Sequence, residues 1–281
     1  MNNRLKAIFI SVFLPAVFLA LIHSGIQLWQ GGFDWGWFGA LTANGAIALF
    51  FAHLGLRPVV RTSANLSWIV TATTAGTLMA LIGAAETTSL WALFYAAGVG
   101  FAGSLIYVYW YSRFGRTPSD ALAVGQTLPD FSLQDDQGRP VVSKDFLGRS
   151  TLFLFFRGNW CPLCMAQIKE IAADYQELHR RGVTVALVSP QSHEKTRALA
   201  DRFEVPFRFL VDHDLSAAKR LGIVHENALP LGMELLGYEQ DAVWPTVVLT
   251  DPQGTIIFAD QTDNYRVRPE PATFLEVLDA H

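Results

Sequence analysis

Polar and charged positions are almost absent from the first 112 residues, apart from three short interruptions. Between them run apolar stretches at 5–28, 37–56, 66–85 and 90–111. Each is close to the about 20 residues needed to cross a hydrocarbon core, and the short gaps predict four antiparallel helices. In the third stretch Ala72, Gly76, Ala80 and Ala84 recur every four residues, a small-residue stripe that lets helix backbones approach. Pro15 is expected to kink the first helix.

From residue 113 the rhythm shortens. Residues 113–123 form a basic then polar connector containing Thr117-Pro118-Ser119-Asp120, and 124–133 lead into a turn at 135–138. Thr151-Leu152-Phe153-Leu154-Phe155-Phe156 reads as a strand buried on both faces. Helical spacing of Ile168, Ile171, Ala172, Tyr175 and Leu178 then runs to a stop at Arg180-Arg181-Gly182. A second central strand follows at 183–189, completing a βαβ unit with the right-handed crossover. Further expected elements are a helix at 193–203, a strand at 207–211, a short helix at 215–221 and a terminal helix at 271–279. A hairpin joins 243–250 to 255–259 across the turn at 251–254. Mixed strands with helices on both faces predict a three-layer α/β/α domain. Three segments result: a transmembrane four-helix region at 1–112, a linker at 113–123 and an α/β domain at 124–281. The stretch 223–242, before the hairpin, would shape a groove or cap the sheet.

Charge sharpens that division. Through Ser112 the charged residues are Arg4, Lys6, Asp34, Arg57, Arg61 and Glu86, a net of +2, and the rest of the chain carries −6 of the total −4. Trp29, Trp35, Trp37, Trp68, Trp91 and Trp110 lie mostly near the ends of the apolar runs, where interfacial aromatics belong. Basic residues flank 1–6, 57–61 and 113–116, while Asp34 and Glu86 mark the intervening loops. The positive-inside rule therefore puts the N-terminus and the α/β domain on the cytoplasmic side of an inner or cytoplasmic membrane. The first run also has the basic flank of a signal peptide, but it is long for one and lacks a small-x-small cleavage site. His23, His53 and Asn44 are polar at membrane depth, and with no carboxylate beside them the histidines read as neutral groups hydrogen-bonded between helices. The bundle contains no cysteine, so it cannot relay electrons by thiol exchange. An anchor or docking platform is the expectation. Net negative charge without a basic–aromatic cluster argues against nucleic acid.

Both cysteines stand in Arg157-Gly158-Asn159-Trp160-Cys161-Pro162-Leu163-Cys164, where the buried strand hands over to a helix. Free N–H groups and the positive dipole end at a helix start favour thiolate over thiol. Thiol pKa values in such motifs fall from about 8.5 to roughly 7 or below. Pro162 suits an early helical position that needs no N–H donor. Two other readings compete: a structural zinc site, which would need two histidines although none forms an H-x-x-x-H pair, and a pair of inert buried thiols. The first is disfavoured by ligand arithmetic, so no metal is expected.

The order of elements resembles the thioredoxin superfamily, and more closely the alkyl hydroperoxide reductase C/thiol-specific antioxidant (AhpC/TSA) group of peroxiredoxin-like domains. The resemblance covers 124–281. It rests on Gly125-Gln126-Thr127-Leu128-Pro129-Asp130-Phe131 with Leu133, the stretch 156–164, Val211-Asp212-His213-Asp214 and Asn264-Tyr265-Arg266-Val267-Arg268-Pro269. It implies a thioredoxin-like fold and thiol chemistry without a cofactor, served by an external dithiol donor such as a thioredoxin-like protein. On the P-x-x-x-[T/S]-x-x-C pattern of typical peroxiredoxins, Arg157 takes the proline position, Cys161 the hydroxyl position and Cys164 the peroxidatic cysteine. A thioredoxin alignment instead makes Cys161 the attacking thiol and Cys164 the resolving one, supported by Trp160 and Pro162. It matches Pro245, followed by Thr246, to the family's cis-proline beside the disulfide. On that basis the expected activity is thiol–disulfide oxidoreduction starting at Cys161. The alternatives are peroxide reduction, with Arg157, Arg266 or Arg268 near the thiolate if they fold back, and a redox-sensing subunit of a membrane assembly. In isolation such arginines read as surface charge.

Overall fold

The computed structural model describes residues 3–86 and 90–281; Met1, Asn2 and residues 87–89, which fall within the expected 1–112 segment, lie outside them. Four helices form the bundle: α1 (Asn3–Gly31), α2 (Trp35–Leu56), α3 (Ser67–Glu86) and α4 (Leu90–Tyr111). All four are long and apolar enough to cross a membrane. The stripe on α3 is real but shifted: Thr73, Gly76, Ala80 and Gly83 are buried, not Ala72 and Ala84. A 3.6-residue repeat places three- and four-residue steps alternately on one face, which a strict four-residue count misses. At the contact, a Cβ on Gly39 would lie 2.3 Å from the Gly76 carbonyl oxygen, so only glycine permits this approach of α2 to α3. α1 runs unbroken through Pro15.

Helix α4 is π-helical over Phe94–Ala102 and Tyr107–Tyr111. Such a register leaves carbonyls poorly served within the helix, and in an apolar setting each needs a donor. Asn44 donates to the Tyr95 carbonyl at 3.0 Å, and the Thr77 hydroxyl to that of Ala96 at 3.2 Å. His23 bridges α1 to α4 through the Tyr95 hydroxyl at 3.1 Å, as the interhelical hydrogen-bonding expectation has it, whereas His53 is exposed.

The α/β domain is built on a seven-stranded sheet of order β2-β1-β5-β4-β3-β8-β9. Its strands are β1 (Ser132–Asp135), β2 (Pro140–Val142), β3 (Thr151–Phe155), β4 (Thr184–Ser189), β5 (Arg208–Val211), β8 (Thr246–Thr250) and β9 (Ile256–Asp260). The central strand β3 is buried throughout, parallel to β4 and antiparallel to β8. On one face Phe153, Phe155, Ala186 and Val188 pack with Leu221 of α8 (Ser216–Leu221). On the other, Leu152, Leu154 and Leu187 meet Cys164 and Ile168 of α5 (Pro162–Ala173) and Phe274 of α9 (Pro271–Asp279). The expected three layers are present. The helix expected through Arg180 breaks at Asp174 into α5 and α6 (Tyr175–Arg180), and α7 spans His193–Ala200. The strand expected over 243–250 also splits. Trp244-Pro245 interrupts it because proline cannot donate to a ladder, leaving β7 (Ala242–Val243) to pair with β6 (Val224–His225) at the foot of the 223–242 segment.

One end of the bundle meets the α/β domain, and arginines make the seam. Arg266 is fully buried. It donates to the Thr62 hydroxyl at 2.8 Å, the Ser63 carbonyl at 2.7 Å, the Ala64 carbonyl at 2.8 Å and the Ser112 hydroxyl at 3.0 Å. Arg61 grips the Glu170 carboxylate on α5 with both guanidinium arms and donates to the carbonyls of Arg268 and Pro269, each at 3.1 Å. Tyr107 and Tyr265 share a hydrogen bond of 2.6 Å. The expected linker is fixed too, with Gly115 and Arg116 N–H groups donating to the Asp263 carboxylate.

Candidate active site

Strand β3 delivers the chain to Arg157, and Gly158, at φ 139°, turns it toward α5. A side chain there would press on the Trp160 indole at 3.0 Å. Cys161 occupies the N-cap of α5 and Pro162 its first turn, so the motif sits at the helix mouth as its sequence predicts. Both sulfurs are reduced and lie 2.6 Å apart, with Cys161 3% exposed and Cys164 0%.

Of the two sulfurs it is Cys164 that is shifted toward the thiolate, whereas position in the motif alone points to Cys161. Burial alone would push the Cys164 thiol up. It is outweighed by the hydrogen bond from Cys161, the charge of Arg268, the backbone N–H of Arg157 and the Arg157 charge, and the net result falls to about 5. Cys161 moves the opposite way, chiefly because its proton is held in the bond to Cys164 and secondarily because it is buried. Arg268 has folded back: one terminal nitrogen stands 3.6 Å from the Cys164 sulfur and the other donates to Gln167 at 2.9 Å. The thiolate keeps the Arg268 guanidinium more basic than usual despite burial. Arg266, its neighbour two positions earlier, belongs to the seam instead.

Arg157 is buried and stacks on the Trp160 ring at 4.4 Å, while donating to the Ala228 carbonyl at 2.6 Å. Pro162 is exposed. Pro245 and Thr246 are buried and share a small crevice with Gln167 and Arg268, so the structure brings them to the thiol region. Two features depart from the expected substrate-pairing edge. The described peptide bonds are all trans, the Trp244–Pro245 bond included. The backbone of Trp244, before the proline, is already engaged: its N–H donates to the Ile223 carbonyl at 2.8 Å and its carbonyl accepts from the Thr246 hydroxyl at 2.9 Å, while Arg116 donates to the Pro245 carbonyl at 3.1 Å and lies over the Trp244 ring. Ile223 and Thr246 thus satisfy the backbone where a peptide would have docked.

Nothing in the sequence singles out His225. It is buried, held well below the ordinary histidine range by burial and then by the charges of Arg157, Lys6 and Arg116. It lines a cavity of about 20 Å³ with Lys6, Tyr111 and Arg157, room for about one water. Asp212, by contrast, serves the fold, since its carboxylate accepts from the N–H groups of Ala217 and Ala218 at the start of α8. Among the described residues no group of three or more His, Cys, Asp or Glu side chains is placed to hold a metal ion.

Comparison with known proteins agrees with this architecture. Residues 124–259 match the AhpC/TSA family. The chain is 30% identical over 99 residues to chloroplastic peroxiredoxin Q of Sedum lineare, covering 35% of this chain and about half of that protein, 53%. It is 29% identical over 147 residues to peroxiredoxin Bcp of Escherichia coli K12, covering 51% and 90%. It is 30% identical over 108 residues to the thiol-disulfide oxidoreductase ResA of Geobacillus thermodenitrificans, covering 38% and 62%. These relatives are named for two kinds of thiol-dependent oxidoreduction, and the cysteine pair is consistent with either.

Proposed function

We propose a membrane-anchored, thiol-dependent peroxidase of the peroxiredoxin-like group, in which Cys164 attacks and Cys161 resolves. The observation that carries this reading is the buried Cys164 sulfur facing Arg268 at 3.6 Å, with Cys161 2.6 Å away. A thiolate in that setting is reactive at neutral pH, and a site this closed admits a small oxidant far more readily than a folded protein disulfide. The Cys164 thiolate attacks the terminal peroxide oxygen and breaks the O–O bond, so that the sulfur becomes sulfenic acid and the departing alkoxide or hydroxide is protonated to an alcohol or water. The Cys161 thiol then condenses with the sulfenic acid, releasing water and forming the disulfide. An external dithiol, thioredoxin-like in chemistry, reduces the pair by exchange and leaves as its own disulfide. Arg268 and the Arg157 N–H hold the thiolate; Arg157, Trp160, Pro162 and Thr246 fix the strand–helix junction and the wall beside Pro245.

In this reading 1–112 is the anchor, 113–123 the linker and 124–281 the redox domain. The bundle end that meets the domain carries Arg4, Lys6, Arg57, Arg61 and Arg113, which supports a cytoplasmic domain by the positive-inside rule. Thiol–disulfide exchange begun by Cys161 is the second reading, favoured by the exposed Pro162 at the helix mouth. Dimedone trapping on the full chain in lipid nanodiscs separates them. After hydrogen peroxide, Cys161→Ser is expected to accumulate a dimedone adduct at Cys164, and Cys164→Ser to lose turnover. Turnover retained by Cys164→Ser, or an adduct at Cys161, reverses the roles.

A further inference from the structure

The 223–242 segment starts in the sheet core at Ile223 and Val224 and then climbs the outside of α1. The side chain of Asn3 donates to the Glu226 carbonyl at 2.7 Å and that of Arg4 to the Asn227 side-chain oxygen at 2.9 Å. Further along, the Leu231 N–H donates to the Ser11 hydroxyl at 3.1 Å. From Asn3 to Ser11 the helix rises about 12 Å, so the segment ascends with it. With 29 residues α1 is about 43 Å long, against about 30 Å of hydrocarbon. Centred in the bilayer, it puts Ser11 roughly 5 Å inside the hydrocarbon edge, the depth at which interfacial elements settle.

At that height the segment presents leucine. Leu231 is 54% exposed, Leu236 62% and Leu235 91%, around the short 3₁₀ turn Met233–Leu236. Elsewhere on the α/β domain the exposed large apolar side chains are scattered singly, which needs no explanation; three within six residues does. The neighbouring α1 positions Ile8 and Val12 are exposed as well, so the leucines continue the outward apolar face of the helix. Glu234, the one charge at the tip, turns its carboxylate back to the Gly232 N–H at 2.9 Å. Beyond the tip, Lys195 donates to the Gly237 carbonyl and lies over the Tyr238 ring, a basic and aromatic margin of the kind that sits at headgroup level.

We infer that the Leu231–Leu236 tip inserts into the headgroup–acyl boundary of the bilayer, giving the redox domain a second membrane contact. The inference rests on the reading that the bundle spans the membrane. Because the Ala228 carbonyl in the same segment holds Arg157, burying the tip in lipid also steadies the arginine stacked on Trp160.

Site-directed spin labelling tests it on the full chain in nanodiscs of mixed zwitterionic and anionic phospholipid. Nitroxides are placed through Leu235→Cys, Leu19→Cys on α1 and Val142→Cys at the sheet edge, each in a Cys161→Ser/Cys164→Ser background. Power saturation with oxygen and with a water-soluble nickel chelate is expected to shift the Leu235 label toward the lipid-like value at Leu19, away from the aqueous value at Val142. A Leu19 label in lipid with an aqueous Leu235 label overturns the inference alone and leaves the leucines to a protein partner. An aqueous label at Leu19 overturns the spanning reading with it. Repeating the series in a Cys161→Ala/Cys164→Ala background gives the same readout should the serine pair disturb the core.

Discussion

Two regions of this molecule each bury an arginine, two residues apart in sequence, and they differ in what the guanidinium meets. At the seam, Arg266 faces carbonyls and hydroxyls of Thr62, Ser63, Ala64 and Ser112, all neutral. At the thiol site, Arg268 faces the Cys164 sulfur and adds its charge to the Cys161 hydrogen bond in favouring the thiolate. Neutral acceptors hold a charge in place by satisfying its donors, and the gain is directional fit. An ionisable partner makes the same charge a chemical device. The two are joined, since Arg61 binds the carbonyls of Arg268 and Pro269 and also Glu170, six residues along α5 from Cys164.

The comparison breaks most sharply at Arg268. Replacing it with methionine keeps the bulk and removes the charge, and a charge-assisted hydrogen bond is worth about 2–3 kcal/mol, so peroxide reduction is expected to fall about 30- to 150-fold. The pH profile separates this from simple unfolding. In the native chain the alkylation rate by iodoacetamide follows deprotonation of Cys164: level at neutral pH and falling as pH drops through about 5. In Arg268→Met the midpoint moves up toward the free-thiol value of about 8.5. A midpoint that stays low would assign the acidity to the helix mouth and the Cys161 proton alone.

Arg266→Met is the matched experiment at the seam. It leaves several buried acceptors without donors, each worth about 1–3 kcal/mol, so a stability loss of roughly 3 kcal/mol is expected. Denaturant unfolding in nanodiscs reads this loss, with earlier proteolysis between the halves, while the alkylation midpoint of Cys164 stays in place. A moved midpoint would mean that the seam sets the thiol's acidity, and the distinction between the two arginines would dissolve.

Why neither arginine shows itself in the sequence follows from the partners they meet. The four apolar runs and the alternation of strands and helices are legible because burial is written in side-chain type: Thr151 to Phe155 can be little else than an interior strand. A carbonyl oxygen belongs to every residue, so nothing in Thr62-Ser63-Ala64 announces an arginine site 200 positions away. The acidity of Cys164 is hidden likewise. Position within the motif favours the first cysteine, at the N-cap, but part of what lowers the Cys164 thiol comes from Arg268, 104 residues downstream. Pro245 reads by analogy as part of an open substrate edge, and only the fold shows the Trp244 backbone before it already paired with Ile223. The insert's ascent of α1 depends on pairs 220 and 223 residues apart, beyond any local pattern.

The smallest effect is expected where the two regions touch. The Arg61–Glu170 pair is bidentate but leaves about a quarter of each side chain in water, 27% and 26%, so its coupling should be about 1 kcal/mol. Arg61 has other work, because it also serves the carbonyls of Arg268 and Pro269. Arg61→Met therefore removes more than the ion pair, and Glu170→Gln removes only its charge. In a double-mutant cycle on unfolding stability the Glu170→Gln step should lose less than Arg61→Met, with a coupling near 1 kcal/mol that shrinks with added salt. If peroxide turnover follows the Arg61 step while the Glu170 step leaves it alone, the carbonyl grip positions Arg268 and the ion pair merely fastens α5 to the loop. Equal losses at both would place the coupling in α5 itself, carried to Cys164 along the helix rather than through the arginine.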